Sequence, residues 1–337
     1  MSKLLDTVLL FSLPASGKSE TRTYLSSLSA DQCRNELGMG PTLQLDDYPY
    51  VHLMHRIDDE LEAAGARAVY YQGASRPFVD GWTWAALIEL LNEDHDALVR
   101  RKPYVAASAA ELLFDRLDAA HKKVGSHDAM ADLPHRVRRK VAAVLEQEAR
   151  HELELLNRTC AQDRTGHTIV IEAARGGPNG SAFPLTPPHG YETAFQHLSP
   201  YILERASVLY VWVDPAESRR KNIERGRPGP EGQASILHHS VPMEVMLGQY
   251  GCDDMGDLLE RSDRPGCIKV ERIVPDGGVY RGRTYYLPAA RFDNRKDLTT
   301  FIRKPRGDWH KGEIDAMHSG LMSAFSVLLG AQGSRIV

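Results

Sequence analysis

A short segment near the start of the chain combines glycine, lysine and a hydroxyl at the spacing that binds phosphate. Residues 12–19 read Ser-Leu-Pro-Ala-Ser-Gly-Lys-Ser. The last three match the pattern G-x-x-x-x-G-K-[ST], and Ser12 stands at its first glycine. In such a loop backbone N–H groups bind phosphate oxygens, the lysine reaches the β- and γ-phosphates, and the hydroxyl ligates Mg²⁺. We expect nucleotide contacts from six residues: Pro14, Ala15, Ser16, Gly17, Lys18 and Ser19.

Acidic side chains end two apolar runs of the chain. Asp46 and Asp47 end one run, and Glu172 ends another. Ligands of parallel sheets sit beyond the carboxyl ends of the strands. Phosphoryl transfer there needs one carboxylate to receive the proton of the acceptor and others to hold metal-bound water. We therefore predict that Glu172 and Ser19 hold a metal ion and that Asp47 contacts the acceptor. Arg175, three residues after Glu172, is predicted to contact the acceptor or a phosphate.

A basic helix is predicted after the fourth apolar run. It contains Lys221 and Arg225, four residues apart and so on one helical face. The helix precedes the stretch Gly-Arg-Pro-Gly-Pro at 226–230, which provides a place to bend. A charge run is usually a solvated face, but here the position favours a lid that closes over the phosphates. We assign residues 215–265 to this lid region.

The chemistry-bearing residues need a scaffold, and the pattern of apolar runs predicts one. Five short runs are separated mostly by helical patterns, which is typical of a doubly wound parallel sheet in an α/β fold. The runs cover 4–12, 42–45, 168–171, 207–213 and, more weakly, 287–292. Alternating residues at 272–286 around Asp-Gly-Gly predict a hairpin. The predicted core therefore covers 1–47 and 168–302.

The long interval between the second and third runs predicts a large helical insert at 48–167. Helical periodicity favours helices over 51–64, 82–98, 108–123 and 134–157, the third opened by Ser108-x-x-Glu111. A short strand is a further possibility at 68–71. The chain ends in a predicted helical segment, 303–337.

Together these residues give the chain a resemblance to P-loop kinases of the nucleoside, nucleotide and small-metabolite group. The fold would then be of the P-loop NTPase type. Leu45-Asp46-Asp47-Tyr48 is similar to the D-D-F-Y-like motif of uridine-kinase-type enzymes, which makes Asp46 the base that accepts the proton of the substrate hydroxyl. The basic helix resembles the lid of that group, so Arg220 and Arg225 would stabilise the transferring phosphoryl group. Phe292-Asp293-Asn294 resembles the stretch that passes the adenine, which implies a nucleotide contact from Asn294.

The resemblance implies ATP and Mg²⁺ and leaves the acceptor open. A nucleoside, nucleotide or similar small hydroxyl-bearing metabolite is the first hypothesis. A hydroxymethylated base in DNA, as in phage-type modification, is the second, with 100–102 and 136–140 as a basic groove. A non-enzymatic nucleotide-binding regulator is the third, against which the strand-end acids argue, since a sensor needs no proton acceptor.

Composition limits the class of protein. The chain has 337 residues, 42% of them hydrophobic and 26% charged, with a formal net charge of −4. These values are ordinary for a folded chain and disfavour a protein that coats nucleic acid. Four cysteines without a C-x-x-C pair predict reduced thiols. With no apolar run long enough for a leader or a membrane span, we expect a cytoplasmic protein without a membrane partner.

Overall fold

The structure, a computed structural model, describes residues 4–226, 240–276 and 279–331, without the side chains of 275, 276, 279 and 280. The chain divides into two compact units. The first comprises Met1–Leu43, Gly166–Thr186 and Gly190–Val337, and the second comprises Gln44–Thr165 and Pro187–His189. The first unit thus includes the C-terminal segment, which the sequence analysis had set apart from the core.

The first unit contains a six-stranded, mostly parallel sheet, of which only residues 44–46, at the end of an edge strand, are assigned to the second unit. Its strands are β1 (Thr7–Phe11), β2 (Thr42–Asp46), β3 (Thr168–Ala173), β4 (Ala206–Trp212), β5 (Cys267–Asp276) and β6 (Val279–Asp293). Their order is β2-β3-β1-β4-β6-β5. Strand β1 pairs in parallel with β3 and β4, and β4 with β6, whereas β5 is antiparallel to β6. The predicted α/β class and the five runs are confirmed; the finer P-loop NTPase assignment stays a prediction.

The predicted hairpin and the weak fifth run are one continuous feature. Strand β6 has 15 residues, of which only the last five, Ala289–Asp293, pair with β4. The earlier part pairs with β5, whereas the last part pairs with β4 and buries Ala289, Ala290 and Phe292. Two patterns therefore came from a single strand, and the sheet gains an antiparallel edge. The possible strand at 68–71 is wrong, since only an isolated bridge joins Tyr71 to Phe78.

Helices cover both faces of the sheet. The helices of the first unit are α1 (Lys18–Ser27), α2 (Ala30–Leu37), α7 (Gly190–His197), α8 (Pro200–Leu203), α9 (Pro215–Arg225), α10 (Met243–Gln249), α11 (Met255–Arg261) and α12 (Lys311–Gly330). Leu10 packs into a buried cluster with residues of α1, α2 and α12. The next residue, Phe11, points to the opposite face and stacks on Tyr191 of α7, with ring centroids 5.1 Å apart. Helix α12 joins the core because Met317, Leu321 and Phe325 form one buried stripe.

The second unit is helical, as predicted for the insert. Its helices are α3 (Tyr48–Ala63), α4 (Thr83–Arg100), α5 (Ala109–Lys123) and α6 (His135–Ala161). The predicted cap of α5 is present, because the Ser108 hydroxyl accepts a hydrogen bond from the Glu111 N–H at 3.2 Å. The Glu111 carboxylate bonds Arg138 Nε at 2.8 Å, so its reciprocal part in the capping box is not made.

Candidate phosphate-binding site

The predicted phosphate loop lies between the fully buried strand β1 and the first turn of α1. Two of its residues have left-handed backbone angles, Ala15 with φ 55° and Gly17 with φ 102°. A Cβ atom at position 17 would stand 2.3 Å from Thr299 Oγ1 and 2.6 Å from Asn294 Nδ2. Glycine is therefore required at this position for two reasons: the backbone angle is positive, and there is no room for a Cβ atom.

Side chains of the first unit hold four carbonyl oxygens of the loop. The bonds run from Lys18 Nζ to Ser12 O and Leu13 O (both 3.0 Å), from Tyr191 Oη to Ser12 O (2.8 Å), from Ser218 Oγ to Pro14 O (2.7 Å) and from Asn294 Nδ2 to Ser16 O (2.6 Å). In a trans peptide the C=O of one residue and the N–H of the next point in opposite directions. The N–H groups of Ala15 and Gly17 consequently point away from the side chains that bind the carbonyls. Such an arrangement of N–H groups at a helix N-terminus suits an anion.

Ser12, the one departure from the loop pattern, has a structural use. Its side chain is buried, and its hydroxyl donates a hydrogen bond to the carbonyl oxygen of Val211 in β4. The serine thereby ties the end of β1 to the neighbouring strand. The hydroxyl at this position stabilises the tight turn that glycine provides in the usual pattern.

The predicted metal-binding pair is brought together. Ser19 Oγ donates a hydrogen bond to Glu172 Oε1 at 3.3 Å, and Arg22 Nη1 lies 3.2 Å from Glu172 Oε2. A hydroxyl and a carboxylate are oxygen donors of the kind that Mg²⁺ takes. Sequence analysis missed Arg22, although it lies four residues after Lys18, on the same face of α1. Among the described residues no group of three or more His, Cys, Asp or Glu side chains could hold a metal ion.

A buried ionic cluster lies at the first turn of α1, and sequence analysis missed it. Glu20 is fully buried and binds Arg225 Nη2 (2.9 and 3.0 Å to the two oxygens) and Arg303 Nε (2.8 Å). We call these three residues the Glu20 cluster. Burial alone would raise the pKa of the Glu20 carboxyl, but the two arginines lower it below its ordinary value. One carboxylate faces two guanidinium groups, so the cluster carries a net positive charge beside the loop.

The basic helix α9 has one polar face turned inward and one turned to solvent. Ser218, Lys221 and Arg225 share the inner face, as predicted for the last two, and Lys221 Nζ lies 2.9 Å from Asp297 Oδ1. Arg220 lies on the outer face, where its side chain is 48% exposed and pairs with Glu217 and Glu224 of the same helix. In this structure the charge of Arg220 is thus paired on a solvated surface, and its predicted contact with the transferring phosphoryl group stays a prediction. The predicted bend at 226–230 and the lid residues 227–239 lie outside the described residues, apart from Gly226.

Asn294 contacts the loop. Its side chain is fully buried, its Nδ2 also donates to Thr299 Oγ1 at 2.8 Å, and its Oδ1 accepts the Leu298 N–H at 2.7 Å. Both ends of the amide are therefore used inside the protein. The structure shows a contact of Asn294 with Ser16 of the loop, and its predicted contact with a nucleotide stays a prediction.

Arg175 reaches the loop through a tyrosine. It follows β3 and is buried, and its backbone N–H donates to Tyr191 Oη at 3.2 Å, the same hydroxyl that binds the Ser12 carbonyl. Its guanidinium Nη1 bonds the carbonyl of Ala174 at 2.6 Å. The predicted acceptor contact of its side chain stays a prediction.

The remaining predicted site residues, Asp46 and Asp47, belong to the second unit. Asp46 Oδ1 accepts the N–H of Tyr48 at 2.9 Å at the start of α3, and Asp47 is buried. The basic residues of the nucleic-acid hypothesis are in the same unit, and two of them are paired: Arg100 lies 2.7 Å from Asp96, and Arg138 is surrounded by three carboxylates.

The second unit has a buried ionic cluster of its own. Arg116 donates to Asp94 (2.6 Å), to the hydroxyl of Tyr50 (3.0 Å) and to Glu93 (3.2 Å), and its guanidinium carbon lies 4.4 Å from the ring centroid of Tyr104. We call this set, with Tyr50 and Tyr104 both donating to Asp94, the Asp94 cluster. Each of the three guanidinium nitrogens has a partner, which is typical of a network that holds a fold together.

Comparisons with known proteins leave the site to be interpreted from its geometry. No family model matches the chain, and neither the curated proteins nor the solved structures compared with it give a match. Within the described residues no helix is both long and apolar enough to cross a bilayer.

Proposed function

We propose that the protein is an ATP-dependent phosphotransferase that moves the γ-phosphoryl group of Mg-ATP to a hydroxyl of a nucleoside, nucleotide or similar small metabolite in the cytoplasm. One observation carries the proposal: the carbonyls of the loop are bound by the protein while the N–H groups of Ala15 and Gly17 point the other way at the start of α1. A loop with this geometry, followed by lysine and serine, is suited to a polyphosphate.

The loop residues have distinct parts in this reaction. Lys18 Nζ, which binds two carbonyls of the loop, would exchange them for phosphate oxygens and neutralise their charge. Ser19 and Glu172 would hold Mg²⁺, which when bound neutralises charge on the phosphates and orients them. The hydroxyl and carboxylate fit that ion, and Arg22 keeps the carboxylate in place through its second oxygen.

On the acceptor side, Asp46 would take the proton of the acceptor hydroxyl. The oxygen of that hydroxyl would form a bond to the γ-phosphorus while the bond between the γ-phosphorus and the leaving ADP breaks. Asp47 and the Arg175 guanidinium would contact the acceptor. No observation favours the nucleic-acid acceptor over a metabolite, and two of the basic residues of that hypothesis, Arg100 and Arg138, are neutralised by carboxylates. The transfer screen described next therefore decides whether a nucleic acid is the acceptor.

The test is a binding measurement followed by a transfer screen. The full chain is titrated with a fluorescent ATP analogue in the presence of Mg²⁺, and γ-labelled ATP is then incubated with panels of nucleosides, nucleotides, sugars and oligonucleotides that carry hydroxymethylated bases. We expect nucleotide binding and label transfer to a small metabolite. A folded protein that binds no nucleoside triphosphate would overturn the proposal. Binding without transfer to any acceptor would favour a regulator.

A further inference from the structure

Two residues after strand β6 brace the phosphate loop from a distant part of the sequence. Asn294 Nδ2 donates both to Ser16 O (2.6 Å) and to Thr299 Oγ1 (2.8 Å), and the two side chains fill the space that a Cβ at Gly17 would need. Both side chains are buried, and the Leu298 N–H fixes the other end of the amide. The Asn294 amide thus joins Thr299 to the Ser16 carbonyl through two hydrogen bonds, and it is the donor in both.

The loop needs such a brace at this point. Residues 15 and 17, on either side of Ser16, have positive φ angles, and a non-glycine residue keeps such an angle only where its surroundings impose it. The Ser16 hydroxyl is buried and has no hydrogen-bond partner among the described residues. The bond from Asn294 to its carbonyl therefore orients the peptide between Ser16 and Gly17.

We infer that Asn294 and Thr299 are positioning residues for phosphate binding. They orient the Gly17 N–H by holding the carbonyl on the other side of the same peptide. The inference rests on the proposed function and adds that affinity for the phosphate chain depends on the end of β6. Asn294 would thereby support every nucleoside triphosphate equally, whatever its base.

Two nearly isosteric substitutions test this chain of bonds. Asn294→Asp replaces the donor with an oxygen that faces the Ser16 carbonyl, so one bond becomes a repulsion. Thr299→Val removes the acceptor of the second bond and keeps the volume. Thr300→Val is the matched control, because the Thr300 hydroxyl bonds Asp297 (2.8 Å) and has no contact with the loop.

The dissociation constants of Mg-ATP, Mg-GTP and inorganic tripolyphosphate are measured for each variant, with thermal unfolding to establish the folded fraction. We expect Asn294→Asp to weaken all three by the same factor, about tenfold or more. Thr299→Val should weaken them by a smaller common factor, and Thr300→Val should match wild type. The common factor in folded protein separates positioning from a purely structural effect, which would lower the unfolding temperature alone.

Two results would overturn the inference alone: unchanged binding in both variants, or a changed ratio of ATP to GTP with unchanged tripolyphosphate binding, which would indicate contact with the base. Should Asn294→Asp fail to fold, Thr299→Val decides by the same criteria. A wild-type protein that binds none of the three ligands would overturn the proposed function itself.

Discussion

The Glu20 cluster and the Asp94 cluster are both buried and ionic, yet their charges are arranged differently. In the Asp94 cluster Arg116 is matched by Asp94 and Glu93, and Glu93 is also bound by Lys123 at 2.8 Å. In the Glu20 cluster two arginines share one carboxylate. A network whose positive and negative charges are matched exerts little attraction on a charged ligand, whereas an excess of positive charge beside a loop of N–H groups attracts an anion.

The position of each cluster supports this contrast. Glu20 directly follows Ser19 in α1, and Arg225 ends the helix whose Ser218 binds the Pro14 carbonyl. The Asp94 cluster joins α3, α4 and α5 with the segment after α4. We therefore expect changes near the loop to affect phosphate chemistry, and changes in the Asp94 cluster to affect the stability of the helical unit. The following predictions test that division.

The largest effect is expected at Lys18. Lys18→Ala should abolish phosphoryl transfer and leave the fold intact, because in the proposed reaction the lysine would neutralise the β- and γ-phosphates in the transition state. Transfer assays and thermal unfolding are measured on the same preparation. Full activity in a folded Lys18→Ala protein would remove the kinase proposal.

A comparable loss of turnover is expected at Asp46. Loss of a general base typically lowers the rate by ~10²–10⁴-fold, so Asp46→Asn should reduce turnover by that range while ATP affinity stays close to wild type. Asp47→Asn is the matched control. If Asp47→Asn is the damaging change and Asp46→Asn is benign, the two roles are reversed.

In the Asp94 cluster we expect a loss of stability. Arg116→Met leaves Asp94 buried without its counter-ion, which typically costs about 3–5 kcal/mol, and denaturant unfolding measures it. The double change Arg116→Met with Asp94→Leu should recover much of the loss, because the unpaired charge is gone. Equal instability of the single and double variants would show that the cost is lost packing.

Two arginines of α9 should behave differently when they are replaced, because Arg225 belongs to the Glu20 cluster and Arg220 lies on a solvated surface. Arg225→Ala should lower turnover about 10- to 100-fold, the range for a charge-assisted bond, and more than it lowers ATP affinity. Arg220→Ala should have a smaller effect on both, because the Arg220 guanidinium is paired with Glu217 and Glu224 on a solvated surface. Hydrogen exchange across α9 with and without Mg-nucleotide and acceptor then tests the lid. Equal exchange in both states, with wild-type rates for Arg225→Ala, would remove α9 from the mechanism.

The smallest effect concerns pH. The arginines lower the pKa of Glu20 in the folded protein, so its contribution to stability is present above the ordinary carboxyl pKa and is lost as the pH falls through the lowered value. The difference in unfolding free energy between wild type and Glu20→Gln should therefore shrink as the solution is acidified below the ordinary pKa of glutamate. A difference that grows on acidification would mean that burial outweighs the arginines.

Much of the scaffold could be predicted because its signals are local. Strand β1, the turn and α1 follow from an apolar run, a glycine and a helical pattern within about twenty-five residues of sequence, and the helices of the second unit follow from their periodicity. Longer-range pairing changed the details. Strand β6 was divided in the prediction because its two halves have different neighbours, and α12 was set apart because its contact with Phe292 is not visible locally.

The predicted phosphate loop depends on local sequence, since Gly17, Lys18 and Ser19 are specified by residue type and adjacent position. The residues that surround the loop are brought there by tertiary contacts. Tertiary contacts join Asn294 to Ser16 across 278 positions and Arg225 to Glu20 across 205. They also leave the Arg220 side chain 48% exposed and the Arg225 side chain only 10% exposed. The physical reason is the order of strands in the sheet, in which β1 lies between β3 and β4, and β6 lies beyond β4. This order sets which strand ends lie next to each other, and it cannot be predicted from a local sequence pattern.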